Sequence, residues 1–345
     1  MARSGHVEAS SGTIRDPWSW GKPMKRREFI ALVGGTAAAW PLAAHAQQAA
    51  MPVVGVLRPN RKDVLETFAE PFRRYMKAIG WEEGRNIRYV FVWLEARAER
   101  APLLAGELVA QNVDLIVTFG DPAIRATQRA TQTIPIVGMT DDMVGSGLAA
   151  SLARPGGNTT GVSILASELD VKRLEVLHEF VPQARRIAVL GDPTTISTRA
   201  QLARAARDLH VELLSFEAGS PDELGRALDA IAVAKVEAVN VLASPFLQVS
   251  RPQIIGRMRD HRLPAIYQWP ESAEDGGLLA YGPRQLLCYR HVVSLVDKVL
   301  RGAKPADLPI EQPSKFELVV NLKTANALGL MMSPTLLLRA DEVIE

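Results

Sequence analysis

With a single cysteine, Cys288, in 345 residues, the chain can form no intramolecular disulfide, whatever the redox state of its compartment. Its stability must come from burial, and a content of 47% hydrophobic and 23% charged residues is ordinary for a globular protein. An excess of one charge sign is also lacking. Residues 1–46 hold six of the 40 basic and three of the 38 acidic side chains, which leaves 34 against 35 in the remainder. Nucleic-acid binders carry clustered Lys and Arg, so no nucleic-acid partner is expected. No low-complexity tract or heptad array is present.

Catalytic signatures are missing too. The chain has no G-x-S-x-G elbow, no Walker A sequence and no G-x-G-x-x-G after its first strand. His178, His210, His261 and His291 are scattered over helical segments, and Cys288 sits in a helix without an activating base. No His or Cys stands at metal-ligand spacing from Asp141 and Asp142. Reversible binding is therefore expected over turnover, with no catalytic residue, metal or cofactor.

What is present begins with a leader. Lys25-Arg26-Arg27-Glu28-Phe29-Ile30 precedes a small, apolar stretch from Ala31 to Ala44, and Ala44-His45-Ala46 forms an A-x-A cleavage site before Gln47. The stretch is shorter than the ~20 apolar residues of a membrane span and contains Gly34, Gly35 and Pro41. Residues 1–46 thus read as an N-terminal extension and export signal, cleaved near Ala46, with translation expected from Met24. The twin arginines resemble the Tat motif, with the general secretory route as the competing reading. Gln47 stands where a lipoprotein needs cysteine, so no membrane insertion is expected after cleavage.

From Pro52 onward, short β-branched runs alternate with helical patterns: Val53–Leu57, Ile87–Trp93, Leu115–Val117 and Ile134–Val137 are the first strands. Turn formers at Arg154-Pro155-Gly156-Gly157-Asn158 interrupt this rhythm. Thr160–Ile164 then resumes an extended pattern, and the alternation restarts with strands at Ile187–Leu190, Val211–Phe216, Val236–Leu242 and Ala265–Tyr267. Leu278–Tyr281 reads as a returning strand, and Arg284–Arg301 as a helix with a stripe through Leu287, His291, Leu295 and Val299. Phe316–Asn321 and a helix over Leu322–Leu328 come last. The expected fold class is α/β: two Rossmann-like lobes with parallel sheets, lobe 1 from 51–160 plus 278–304 and lobe 2 from 161–277 plus 305–345.

Ligands of open parallel sheets bind outside the carboxyl ends of the strands. At three such ends a cap residue precedes proline: Asp121-Pro122, Asp192-Pro193 and Ser244-Pro245. Helix capping alone explains all three, and free amides at the same places also suit a ligand anion. Thr118 and Gly120 lead into the first of these turns. Thr140-Asp141-Asp142 offers a hydroxyl and a carboxylate to a ligand ammonium, or is a solvated acidic loop. Arg58-Pro59-Asn60, Tyr267-Gln268-Trp269 and Tyr281 bring polar and aromatic groups to the same region. The candidate ligand-binding set is Asn60, Thr118, Gly120, Asp121, Thr140, Asp141, Asp192, Ser244, Trp269 and Tyr281.

Three stretches carry a family resemblance: 151–161 (SLARPGGNTTG), 316–325 (FELVVNLKTA) and 336–344 (LLLRADEVI). With them, nearly everything after the leader resembles the ABC-transporter substrate-binding family, of the type I periplasmic-binding-protein fold. The resemblance implies two lobes joined by a three-crossover hinge, a monomer in the periplasm, closure on a small molecule, and delivery to ABC permease and ATPase subunits. Some relatives look like tryptophan or tyrosine binders, which implies an amino acid or aromatic carboxylate. A periplasmic sensor for a signalling receptor, or an enzyme on a similar two-lobed fold, are the alternative readings. Where the family usually carries Asp-Pro after the fourth strand, this chain has Asp141-Asp142-Met143, which leaves the geometry of that loop open.

Overall fold

The structure, a computed structural model, describes residues 51–59, 66–332 and 334–345, and the segment Met51–Glu345 forms one compact unit. The expected leader and Asn60 lie outside the described residues.

The first half alternates strand and helix: β1 (Val53–Arg58), α1 (Glu66–Ala78), β2 (Arg88–Trp93), α2 (Ala101–Ala110), β3 (Leu115–Phe119), α3 (Asp121–Ala130), β4 (Ile136–Thr140) and β5 (Thr159–Ser163). Its five strands lie in the order β2-β1-β3-β4-β5, all parallel. β1 and β3 are mostly apolar and buried along nearly their whole length because both faces are covered. Val54 and Val56, with Leu115, Val117 and Phe119, point into one core with Phe68 and Phe72 of α1, while Leu57 and Ile116 point into the other with Leu104 and Leu108 of α2.

The second half contains α4 (Ala166–Phe180), β6 (Arg186–Gly191), α5 (Arg199–Asp208), β7 (Glu212–Glu217), α6 (Pro221–Val233), β8 (Ala238–Val241), α7 (Pro245–Val249), α8 (Arg251–Asp260), β9 (Ala265–Tyr267), α9 (Pro270–Glu274) and β10 (Leu279–Gly282). After α10 (Gln285–Leu300) the chain ends with β11 (Glu317–Asn321), α11 (Leu322–Ala327), α12 (Pro334–Leu337) and β12 (Glu342–Ile344). The second sheet is β12-β11-β10-β9-β8-β6-β7, parallel except for the β10–β11 pair.

Three passages connect the halves, and they move the expected boundaries. β5 runs to Ser163 as the edge of the first sheet, so the first passage lies at Ile164–Leu165, where Leu165 adopts φ +54°. β10 pairs with β9 and β11, which places 279–282 in the second sheet and not with lobe 1. The chain then returns as α10, whose Tyr289, Val292, Val293 and Val296 join the core of the first sheet. The third passage follows Glu311: its carbonyl accepts from the Ser163 amide at 2.9 Å and its own amide donates to the Gly161 carbonyl at 2.9 Å. Residues 305–311 therefore border the first half. The apolar stripe of α10 is only partly as expected. Leu295 and Val299 are buried, but Leu287 is 37% exposed, and Cys288, Val292 and Val296 are buried in addition.

Arg284, at the second passage, ties this junction together. Its guanidinium pairs with Glu274 of α9 and Glu342 of β12, and its Nε donates to Glu317 of β11 at 2.6 Å. Among the described residues, no helix is long and apolar enough to cross a membrane.

Candidate functional site

A cavity of about 820 Å³ lies where the carboxyl ends of strands from both sheets face one another. The first sheet contributes Arg58 from β1, Phe119 to Asp121 from the β3–α3 turn, Thr140 to Asp142 after β4, and Ile164 and Leu165 after β5. The second contributes Ser244 and Pro245 after β8, and Gln268 and Trp269 after β9. Tyr289 reaches the wall from α10. The halves touch beside it: a Cβ placed on Gly120 would meet Pro245 Cγ at 2.7 Å.

Of the residues expected at a site, Gly120, Asp121, Thr140, Asp141, Ser244 and Trp269 line this cavity. The structure places three elsewhere. Thr118 is a fully buried interior residue of β3, one step short of the wall. Asp192 is 4% exposed behind it, where its carbonyl accepts from the Thr195 amide at 3.0 Å and hydroxyl at 2.8 Å, and Thr195 lines the cavity in its place. Tyr281 packs on the second-sheet core, and its carbonyl accepts from Arg173 Nη1 at 3.1 Å.

The three cap-proline pairs turn out to differ. Ser244 is a true N-cap, accepting the Leu247 amide at 3.0 Å. Asp192 leads into the 3₁₀ turn Pro193–Thr198. At the start of α3, Gly120 holds the cap position with φ +84° and ψ 147°, and Asp121 is the first helical residue, making no cap bond. Its Oδ1 instead accepts the Thr140 hydroxyl, which joins the ends of β3 and β4 at the cavity. The loop that lacks the family's proline is still pinned. Asp142 Oδ1 accepts the Val144 amide at 3.0 Å and the Gly145 amide at 2.8 Å, and Met143 is fully buried. Asp142 is thereby committed to the turn, while Asp121 and Asp141 give the wall its negative corner.

The opposite corner is cationic and aromatic. Arg58 is 6% exposed, and its guanidinium carbon lies 4.1 Å from the Phe68 ring centre and 4.3 Å from that of Phe119. Burial lowers its pKa from the usual arginine value, and the Tyr289 hydroxyl opposes that shift. Burial likewise raises the Tyr289 phenol, with Arg58 opposing. Arg251 pairs with Asp275 at the rim, so these two charges cancel locally. Phe119, Trp269 and Tyr289 supply the apolar wall. Sequence periodicity gave no reason to bring Tyr289 here, because it comes from a helix entered after the second sheet is nearly complete.

Behind the wall lies a buried ion pair. Asp170 and Arg173 of α4 are 1% and 0% exposed and bonded to each other. Asp170 Oδ1 also accepts the Ala243 amide at 3.2 Å, and the Asn240 side chain donates to the Asp170 carbonyl at 3.1 Å. The pair fixes the 243–245 turn that presents Ser244 and Pro245.

Residues 33–344 match the family model described as ABC transporter substrate binding protein. A tyrosine-binding protein of Clostridioides difficile is 26% identical over 283 residues, covering 80% of this chain and 81% of the relative. Two solved structures share the fold at 24% identity, each covering 85% of this chain and 99% of the other. They are a conserved domain protein from Vibrio cholerae, with a TM-score of 0.77, and an ABC domain in complex with L-Trp from Streptococcus pneumonia, with a TM-score of 0.76.

Proposed function

We propose that this chain, which belongs to the ABC transporter substrate binding protein family, is the extracytoplasmic receptor of an ABC importer and takes an aromatic amino acid or related aromatic carboxylate. The observation that carries this reading is the cavity itself. Its wall is drawn from strand ends of both sheets, and it offers a cation, a carboxylate pair and three aromatic rings to one small molecule. The tyrosine-binding relative and the L-Trp complex support the ligand class.

The mechanism is hinge closure. A ligand that touches both halves favours the apposed state by its differential affinity, with the passages at 164–165, 283–284 and 312–316 absorbing the rotation. The ring stacks among Phe119, Trp269 and Tyr289, and an ammonium lies toward Asp121 and Asp141. Export through the leader, cleavage near Ala46, a monomeric mature chain and hand-over to permease and ATPase subunits complete the proposal.

Thermal unfolding of the chain from Gln47 against amino acids, aromatic acids, purines and short organic acids tests it. Ligand at about 100 times its dissociation constant adds about 2.7 kcal/mol, a rise of several degrees in midpoint. A shift confined to aromatic amino acids or aromatic acids is expected. A shift confined to purines or short organic acids would refute the ligand class.

A further inference from the structure

Arg58 closes β1 against the cavity with its charge held between aromatic faces rather than in water. A planar, permanently charged fork fixed in a poorly hydrated wall suits a carboxylate, which it can meet with two parallel hydrogen bonds. From the second half, Gln268 lines the same cavity directly after β9 and is 5% exposed. Its side-chain Nε2 is buried and has no hydrogen-bond partner among the described residues. A buried amide left in that state is costly, and a ligand oxygen is the natural group to relieve it.

The two helix starts at the cavity suit an anion less well. The first turn of α3 carries the Asp121 carboxylate, which repels one, and Ser244 spends its hydroxyl on the Leu247 amide.

We infer that Arg58 and Gln268 form a carboxylate clamp, taking the anionic end of the ligand from opposite halves of the molecule. The assignment rests on the reading of this cavity as an aromatic-carboxylate site, and it orients the ligand there: anion to Arg58 and Gln268, ammonium to Asp121 and Asp141. Because the clamp spans both halves, the carboxylate is also the group whose binding draws them together.

Calorimetric titration of the full chain with L-tyrosine against tyramine, and L-tryptophan against tryptamine, tests the clamp, since each amine keeps the ring and the ammonium and lacks only the carboxylate. The wild-type chain is expected to prefer each amino acid by roughly 100-fold or more. Arg58→Met should weaken amino-acid binding roughly 10- to 100-fold and Gln268→Met roughly 5- to 10-fold, with affinity for the amines little changed. Thermal melts report whether each variant folds, and Gln268→Met carries the test if Arg58→Met does not. Preference for the amino acids that survives undiminished in the folded variants overturns the clamp and leaves the aromatic-carboxylate reading standing. Failure of the wild-type chain to bind these amino acids or any aromatic acid overturns that reading, and the clamp with it.

Discussion

Gly120 is where a single methyl group should act on closure. Its φ of +84° and ψ of 147° belong to a region open essentially to glycine alone, so Gly120→Ala strains the backbone by about 1–3 kcal/mol whether the halves are apposed or apart. A second cost arises only when they are apposed. The added Cβ falls 2.7 Å from Pro245 Cγ, 0.7 Å inside the 3.4 Å at which ordinary contact begins. Overpacking of this kind costs about 1–3 kcal/mol, which converts to a roughly 5- to 150-fold rise in dissociation constant. Pro245→Ala removes Cγ and Cδ and leaves the Pro245 Cβ position at 3.6 Å, an ordinary contact. The two costs therefore separate in a double-mutant cycle read by calorimetry and thermal unfolding. Gly120→Ala should lose both affinity and midpoint, Pro245→Ala should change little, and the double variant should regain most of the affinity but not the midpoint. Unchanged affinity in Gly120→Ala, or no recovery in the double variant, would refute the claim that binding requires the halves to meet at this point.

Other consequences are as specific. Asp121→Ala should weaken binding of ammonium-bearing ligands about tenfold by titration, whereas Arg204→Ala, on the exposed face of α5, should leave it unchanged. Asp170→Ala strands the fully buried Arg173 and deprives the Ala243 amide of its acceptor, so it should cost about 3–5 kcal/mol and lower the thermal midpoint by roughly 10 °C. Burial, helped by the negative charge of Glu271, pushes the Cys288 thiol up to about 12. The native protein should then show no reactive thiol toward a disulfide reagent at pH 8 and one thiol per chain after denaturation.

Much of the fold was legible because parallel strands covered on both faces read as unbroken β-branched runs. Ala265–Tyr267 falls where the sequence placed it, and β1, β6 and β11 lie within a residue or two. Membership of β10 was not legible. Whether 279–282 pairs with β9 or returns to the first sheet depends on partners distant in sequence, and a four-residue apolar strand carries no mark of its neighbour. α4 escaped notice because its hydrophobic periodicity is blurred: it buries an aspartate and an arginine as well as Leu174, Val176 and Leu177.

At the site, the rule that ligands gather at strand ends found the β3, β4, β8 and β9 turns. It failed at Asp192, since an aspartate beside proline looks the same from sequence whether it lines a cavity or sits buried in a turn closed through its main-chain carbonyl. Arg58 was visible as a polar residue after β1, but its setting among Phe68, Phe119 and Tyr289 is one that only the fold brings together. Asp121 shows the reverse. The sequence marks it as a helix cap, and the structure releases it from capping because Gly120 takes that position, leaving its carboxylate to Thr140 and the cavity.

The cavity between the two sheets is proposed as the place where an aromatic amino acid or aromatic carboxylate is held. The crystal structure of the chain with L-tyrosine or L-tryptophan tests it most directly. One ligand molecule is predicted, its ring among Phe119, Trp269 and Tyr289 and its two ends toward Arg58 and Asp121. A ligand bound outside this cavity, for instance in the groove between α4 and α5 lined by Glu175 and Arg204, would contradict it.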